Sequence, residues 1–162
     1  MKLEFVKAYD RTEEVGRLFR EYTDMLVAGD PKFKEYLEIQ NYDEELRHLE
    51  NKYGEPYGRL YLAYCDGELA GSIALRKLDD KTCEMKRLYV YPKFRGRGIA
   101  RKLVEKIIAD SREIGYSVML LDTLPFLENA IRLYKSMGFY EIPCYNNSPM
   151  DNSIFLRYDI DN

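Results

Sequence analysis

"VYPKFRGRGIARKL" occupies positions 90–103, and the way this stretch is read decides the fold. It joins a strand-like run to a run in which Ile99, Leu103 and Ile107 recur at helical spacing, with Ala100, Val104 and Ile108 beside them. Gly96 and Gly98 stand at the join. In a strand, glycine-rich turn and helix, the unpaired N–H groups of the helix start and the helix dipole face one point, and glycines leave an anion room to approach. Between Met85 and Val104 stand Lys86, Arg87, Lys93, Arg95, Arg97, Arg101 and Lys102 and no acid, in a chain of net charge -3. Such a concentration suits a phosphate; a plain turn with exposed arginines and a nucleic-acid patch are the competing readings.

Working outward, "GRLYLAYCDGELAGSIALRKLDDKTCEMKRLYVYP" reads as three strands, roughly 59–65, 68–78 and 83–91. Asp66-Gly67 and Asp79-Asp80-Lys81 supply the turns of an antiparallel meander. Beyond the glycine turn the helix runs to about Glu113 and stops at Gly115. "SVMLLDT" (117–123) is a near-continuous apolar run, expected as a strand buried on both faces. A helix from about Phe126 carries Leu127, Ala130, Ile131, Tyr134 and Met137 on one face and ends at Gly138, and strands at Phe139–Ile142 and Ser153–Tyr158 close the chain. Ahead of the meander, "KLEFVKAY" (2–9) reads as a short strand. A helix capped by Thr12 follows, with Val15, Leu18, Phe19, Tyr22, Met25 and Leu26 at helical spacing. Residues 32–53, charged and tyrosine-rich, predict one or two short helices. No repeat or linker divides the 162 residues, so one domain over 1–162 is expected.

Composition narrows the chemistry. The hydrophobic fraction of 46% and aromatic fraction of 14% suit a globular core, and no apolar run approaches the ~20 residues of a membrane span. The start lacks a signal-peptide pattern, so a cytoplasmic protein without a membrane partner is expected. Cys65, Cys83 and Cys144 form no CxxC pair and read as free thiols. The single histidine, His48 in "DEELRHLE", lies on a charged helical stretch, which leaves a His-based metal site or a His-activated nucleophile almost nothing to work with. The chemistry expected here uses neither metal nor histidine.

Phosphate loops of two well-known kinds fail on specific residues. A nucleotide-triphosphatase loop needs Gly-Lys-Ser/Thr, which is absent, and a dinucleotide G-x-G-x-x-G fingerprint needs glycine where Arg101 stands. A third kind fits. The stretch resembles the acetyl-CoA-binding motif R/Q-x-x-G-x-G/A of the GNAT superfamily of N-acetyltransferases, with Arg95, Gly98 and Ala100 on its marked positions and Val90 and Pro92 ahead of them. "AIRLYKSMGF" (130–139) resembles a second signature of the same family. The likeness runs from about Gly58 to Phe139, half of the chain.

That resemblance implies an α+β or α/β fold: a mixed sheet of about six to seven strands flanked by helices, with a splayed strand pair holding acetyl-CoA. It implies that the turn residues Arg95, Gly96, Arg97, Gly98, Ile99, Ala100 and Arg101 hold the pyrophosphate, and that Leu88, Tyr89 and Val90 bind the pantetheine arm through main chain. Tyr134 matches the family tyrosine that protonates the departing sulfur, although its place on an apolar stripe equally suits packing. Glu84, at the start of the splayed strand, is the expected base, with Asp122 as the runner-up. The family's usual asparagine is replaced by Leu127, and Asn129 is expected on another face.

The acceptor, a small amine or amino-acid-like molecule, is expected between residues 29–53 and 143–152. There Glu35, Glu38, Asp43, Glu44, Glu45 and Glu50 could attract a cation, and Asp122, Tyr145 and Asn146 would touch substrate. Nucleic acid is not an expected partner, and a homodimer is one admissible assembly. A non-catalytic acyl-CoA-binding or partner-binding module of the same fold is the alternative to an enzyme.

Overall fold

A computed structural model describes residues 1–160. Seven strands form one sheet: β1 (Leu3–Lys7), β2 (Arg59–Cys65), β3 (Glu68–Lys77), β4 (Thr82–Val90), β5 (Val118–Thr123), β6 (Tyr140–Ile142) and β7 (Ile154–Asp159), in the order β1-β2-β3-β4-β5-β7-β6. Every neighbouring pair is antiparallel except β4 and β5. The helices are α1 (Thr12–Gly29), α2 (Phe33–Ile39), α3 (Tyr42–Arg47), α4 (Leu49–Tyr53), α5 (Ile99–Ile114) and α6 (Glu128–Ser136), with a 3-10 turn at Pro92–Phe94.

Strand alternation divides the core between the two faces. On β2, Leu60 and Leu62 pack with Val15, Leu18 and Phe19 of α1, while Tyr61, Ala63 and Cys65 join the cluster that holds Ile99, Leu103, Val104 and Ile107 of α5. These apolar stripes are the ones whose spacing was legible in sequence. α5 ends as expected at Gly115, whose φ of +110 suits a residue without Cβ. Among the described residues no helix is long and apolar enough to cross a membrane.

Several expectations shift. Thr12 is the first helical residue and not the cap; Arg11 precedes the helix without a side-chain cap bond. Three short helices, not one or two, fill 33–53. α6 begins at Glu128, two residues after Phe126. β5 buries Met119, Leu121 and Thr123 but leaves Val118, Leu120 and Asp122 half-exposed. The face opposite α5 is only partly covered there, Tyr36 and Asn146 reaching across to Asp122.

The splay expected between β4 and β5 is present. The two strands pair only at Thr82–Val118, Cys83–Met119 and Glu84–Leu120. Beyond that point β4 stays with β3 as far as Val90, and β5 stays with β7 as far as Thr123. A bulge drives the divergence: Ser72 pairs with Tyr89 but Ala74 with Lys86, so β4 carries one extra residue. Arg87 absorbs it at φ +59, in the left-handed region that non-glycine residues adopt at a cost of about 1–3 kcal/mol. The Ser72 hydroxyl donates to the Arg87 carbonyl at 2.9 Å, and the Arg87 guanidinium donates to both Glu45 carboxylate oxygens at 2.8 Å. A contact from α3 therefore helps to hold β4 bent.

Candidate active site

The splay opens onto a cleft of about 720 Å³ between the end of β4, the glycine turn and α6. Leu88, Tyr89 and Val90 form one wall, and Gly96, Gly98, Ile99 and Ala100 close one end. The N–H groups from Gly96 to Arg101 have no acceptor among the described residues, and the first helical bond of α5 runs from Lys102 N to Gly98 O at 3.2 Å. Gly96 and Gly98 take φ of +79 and +77, and a Cβ on either would meet nothing within 4 Å. This is an open nest of donors at a helix start, the geometry that binds a phosphate.

The arginines do different work. Arg95 donates from Nε to the Val90 carbonyl at 3.1 Å with its guanidinium 5.6 Å from the Tyr89 ring centroid, so it ties the turn to the strand end. Arg101 lines the cleft and donates to Ser136 Oγ at 2.7 Å. Arg97 is not among the residues lining the cleft; its side chain lies over Phe94 and near Cys65 Sγ, which leaves only its backbone to serve the turn. Lys86 and Arg87 are buried, so the basic cluster is no continuous surface. Fluorescence anisotropy with a duplex DNA or RNA probe at ~150 mM salt is accordingly expected to show no appreciable binding. Both Leu127 and Asn129 border the cleft at the start of α6, where the Asn129 side-chain oxygen accepts from the Arg132 guanidinium.

A second, smaller space of about 40 Å³ lies on the other side of the splay, bordered by Tyr22, Tyr36, Gln40, Lys86, Arg87 and Ser153. Asp122 and Tyr134 border both spaces and mark where they meet. The Tyr134 ring packs on Phe139 with centroids 5.6 Å apart, and its hydroxyl has no hydrogen-bond partner among the described residues. Burial pushes its pKa well above the usual tyrosine range, with the Tyr22 and Asp122 charges adding to the effect. The hydroxyl thus keeps its proton at any ordinary pH.

Glu84 lies where β4 still pairs with β5, just before the splay. It borders neither space; Oε1 lies 3.3 Å from Arg76 Nε and 3.8 Å from Lys86 Nζ, and Oε2 accepts from the Tyr145 hydroxyl at 2.6 Å. With both oxygens engaged, it reaches the cavity only through neighbours. Asp122 is the carboxylate at the junction: Oδ2 accepts from the Tyr36 hydroxyl and, at 3.0 Å, from Asn146 Nδ2. Tyr145 and Asn146 thus bring the 143–152 loop to the site, though they touch its carboxylates and do not line the cavities.

The acids of residues 29–53 do not line the acceptor side. Glu35, Glu38, Asp43 and Glu50 are exposed, and Glu45 is buried against Arg87 and Lys52. Tyr22, Tyr36, Lys86 and Arg87 were not singled out as acceptor contacts. The available signal was adjacent Lys86-Arg87 inside the otherwise apolar "MKRLYV", where a central strand has no ordinary place for charge.

The splayed parallel pair and the donor nest at one end are features that the sequence resemblance implies, and comparison with known proteins identifies the family. Residues 18–139 match the profile of the acetyltransferase (GNAT) family. An uncharacterized N-acetyltransferase of Schizosaccharomyces pombe is 41% identical over 76% of this chain and 77% of its own. N-acetylaspartate synthetase of Danio rerio is 31% identical over 70% of this chain and 44% of its own. Among solved structures, an acetyltransferase from Streptococcus agalactiae superposes with a TM-score of 0.77 over 97% of this chain and 98% of its own, at 24% identity. A GNAT family acetyltransferase from Elizabethkingia anophelis with acetyl-CoA bound superposes with a TM-score of 0.55 over 63% of this chain and 76% of its own, at 25% identity. The chain belongs to the GNAT family of acetyltransferases.

Proposed function

We propose that this chain transfers an acetyl group from acetyl-CoA directly to the primary amine of a small, amino-acid-like acceptor. The observation that carries this reading is the meeting of two spaces at Tyr134 and Asp122, one of them ending in the donor nest of the glycine turn. The nest and the wall of Leu88, Tyr89 and Val90 fit a pyrophosphate and an extended arm, and the smaller space fits an acceptor. Acetyl-CoA supplies an activated acetyl thioester. The likeness to N-acetylaspartate synthetase supports an amino-acid acceptor.

The chain's own groups have few tasks. Asp122, at the junction, receives the proton of the acceptor amine, which is mostly charged at pH 7 given an ordinary pKa of ~10. Tyr134 holds a proton for the sulfur as the C–N bond forms and the C–S bond breaks. Free backbone groups of β4 past Glu84 orient the carbonyl, so positioning carries much of the rate. Glu84 acts at a distance, by fixing Tyr145 and Lys86.

An amine-library screen that follows free CoA thiol tests the reaction: thiol must appear only when acetyl-CoA and an amine are both present. Acetyl-CoA binding without thiol release from any amine would favour a non-catalytic module. Tyr134→Phe removes only a hydroxyl that lacks a protein partner, so stability should hold while kcat falls by about 10²-fold. A kcat within about twofold of wild type, with chemistry shown to be rate-limiting, would leave water as the acid.

A further inference from the structure

Resting on that reading, we infer that Lys86 is the receptor for a carboxylate on the acceptor, so that the natural substrate is an amine bearing a negative charge close to its nitrogen and not a simple alkylamine or polyamine. The Lys86 side chain is 6% exposed, and the contact recorded for its ammonium among the described residues is a long ion pair and not a hydrogen bond. Its nearest carboxylate oxygen is Glu84 Oε1 at 3.8 Å. A buried ammonium has three donors to satisfy and is costly to leave without partners.

The surrounding carboxylates are already committed. Glu84 is shared with Arg76 and accepts from Tyr145; Glu45 is shared between Arg87 and Lys52; Asp122 accepts from Tyr36 and Asn146. The acceptor space therefore borders two cations, Lys86 and Arg87, and only Asp122 in return. Arg87 holds Glu45 in a close two-bond contact, whereas Lys86 has only a long contact with the Glu84 oxygen that it shares with Arg76. Burial, then repulsion from Arg87, holds the Lys86 ammonium down to about 8, Glu84 and Asp122 offsetting this only in part.

Size points the same way. The free volume of about 40 Å³ admits a carboxylate and a few carbons, with Asp122 at the junction to meet the amine. An amino acid presents both charges: its carboxylate to Lys86 and its ammonium to Asp122. A polyamine would bring further positive charge against Lys86 with nothing to balance it.

The test uses the whole protein and two matched probe sets, the common amino acids and their carboxamides, in the thiol-release assay. Wild type should favour the preferred amino acid over its carboxamide by roughly 10- to 100-fold in kcat/KM, the worth of one charge-assisted contact. Lys86→Met, close in volume, should raise the amino-acid KM by a similar factor and abolish the preference, while KM for acetyl-CoA holds and the carboxamide loses less than the amino acid. Lys86→Arg should restore part of the preference. Equal use of the two probe sets by wild type, or equal losses on both in Lys86→Met, would overturn the inference. If no amine releases thiol, calorimetry with the same probes in the presence of CoA separates the questions. Amino-acid binding that needs both the carboxylate and Lys86 would sustain the receptor while the transferase reading falls, and no such binding would remove both.

Discussion

Gly98→Glu is expected to raise the dissociation constant for acetyl-CoA by at least about 10³-fold in a protein that still folds. Gly98 is the residue before α5, at φ +77, in a nest of N–H groups that have no acceptor among the described residues. A glutamate there acts in two ways. Its carboxylate can swing onto the helix-start donors and occupy the anion site from within, and it sets a negative charge beside an incoming pyrophosphate. At ~5 Å and an effective dielectric of ~20, each such repulsion is worth roughly 3 kcal/mol. Backbone strain does not add to this, because it is present with and without ligand. Gly98→Ala separates the two effects, since its Cβ meets nothing within 4 Å and the left-handed φ costs about 1–2 kcal/mol of stability. Calorimetry should find the alanine variant binding within about tenfold of wild type. A folded Gly98→Glu protein of near-normal affinity would place the phosphate elsewhere.

The parts of this fold legible in sequence are those fixed by local chemistry. The stripes of α1 and α5, the Asp66-Gly67 turn and the stop at Gly115 follow from periodicity and backbone freedom within a few residues. The glycine turn was legible for the same reason, because both its glycines take positive φ. The bend at Arg87 was not. Arginine carries no signal for a left-handed backbone, and the partner that helps to fix it, Glu45, lies 42 residues away on a helix too short to show clear periodicity. The same distance hid the role of the acids. Glu45 looked like one of many charges on a solvated face until tertiary packing set it against Arg87, which in sequence was only one member of the basic cluster around the glycine turn. Glu84 was sought as the base from its position on β4, yet a strand position does not reveal what its side chain already holds. Arg76, Lys86 and Tyr145 take up its oxygens and leave Asp122 at the junction.

Glu45→Ala should cost the protein about 3–5 kcal/mol, because it strips a buried guanidinium of its only carboxylate among the described residues. The Arg87 and Glu45 side chains are 3% and 1% exposed, and the one other polar side chain bonded to the guanidinium is that of Gln40, at 2.8 Å from Nη2. Burial alone would raise the Glu45 pKa; Arg87 and then Lys52 more than reverse this and hold the carboxyl down to about 2, against an ordinary 4.5. A depressed carboxylate contributes stability that is fully present above its unfolded pKa and is lost as pH falls through the folded one. The window therefore runs from about pH 5 down to about pH 2, and the contribution is about 3 kcal/mol. Urea melts of wild type and Glu45→Gln across that window should converge as the acid limit is approached. The double variant Glu45→Leu with Arg87→Met removes both charges together and should be more stable than Glu45→Ala, since the penalty lies in the orphaned cation more than in the lost pair. If Glu45→Ala costs less than about 1 kcal/mol, or the double variant is the less stable of the two, this pair does not hold β4 bent at Arg87, and the Ser72 hydroxyl together with the bulge itself must do so.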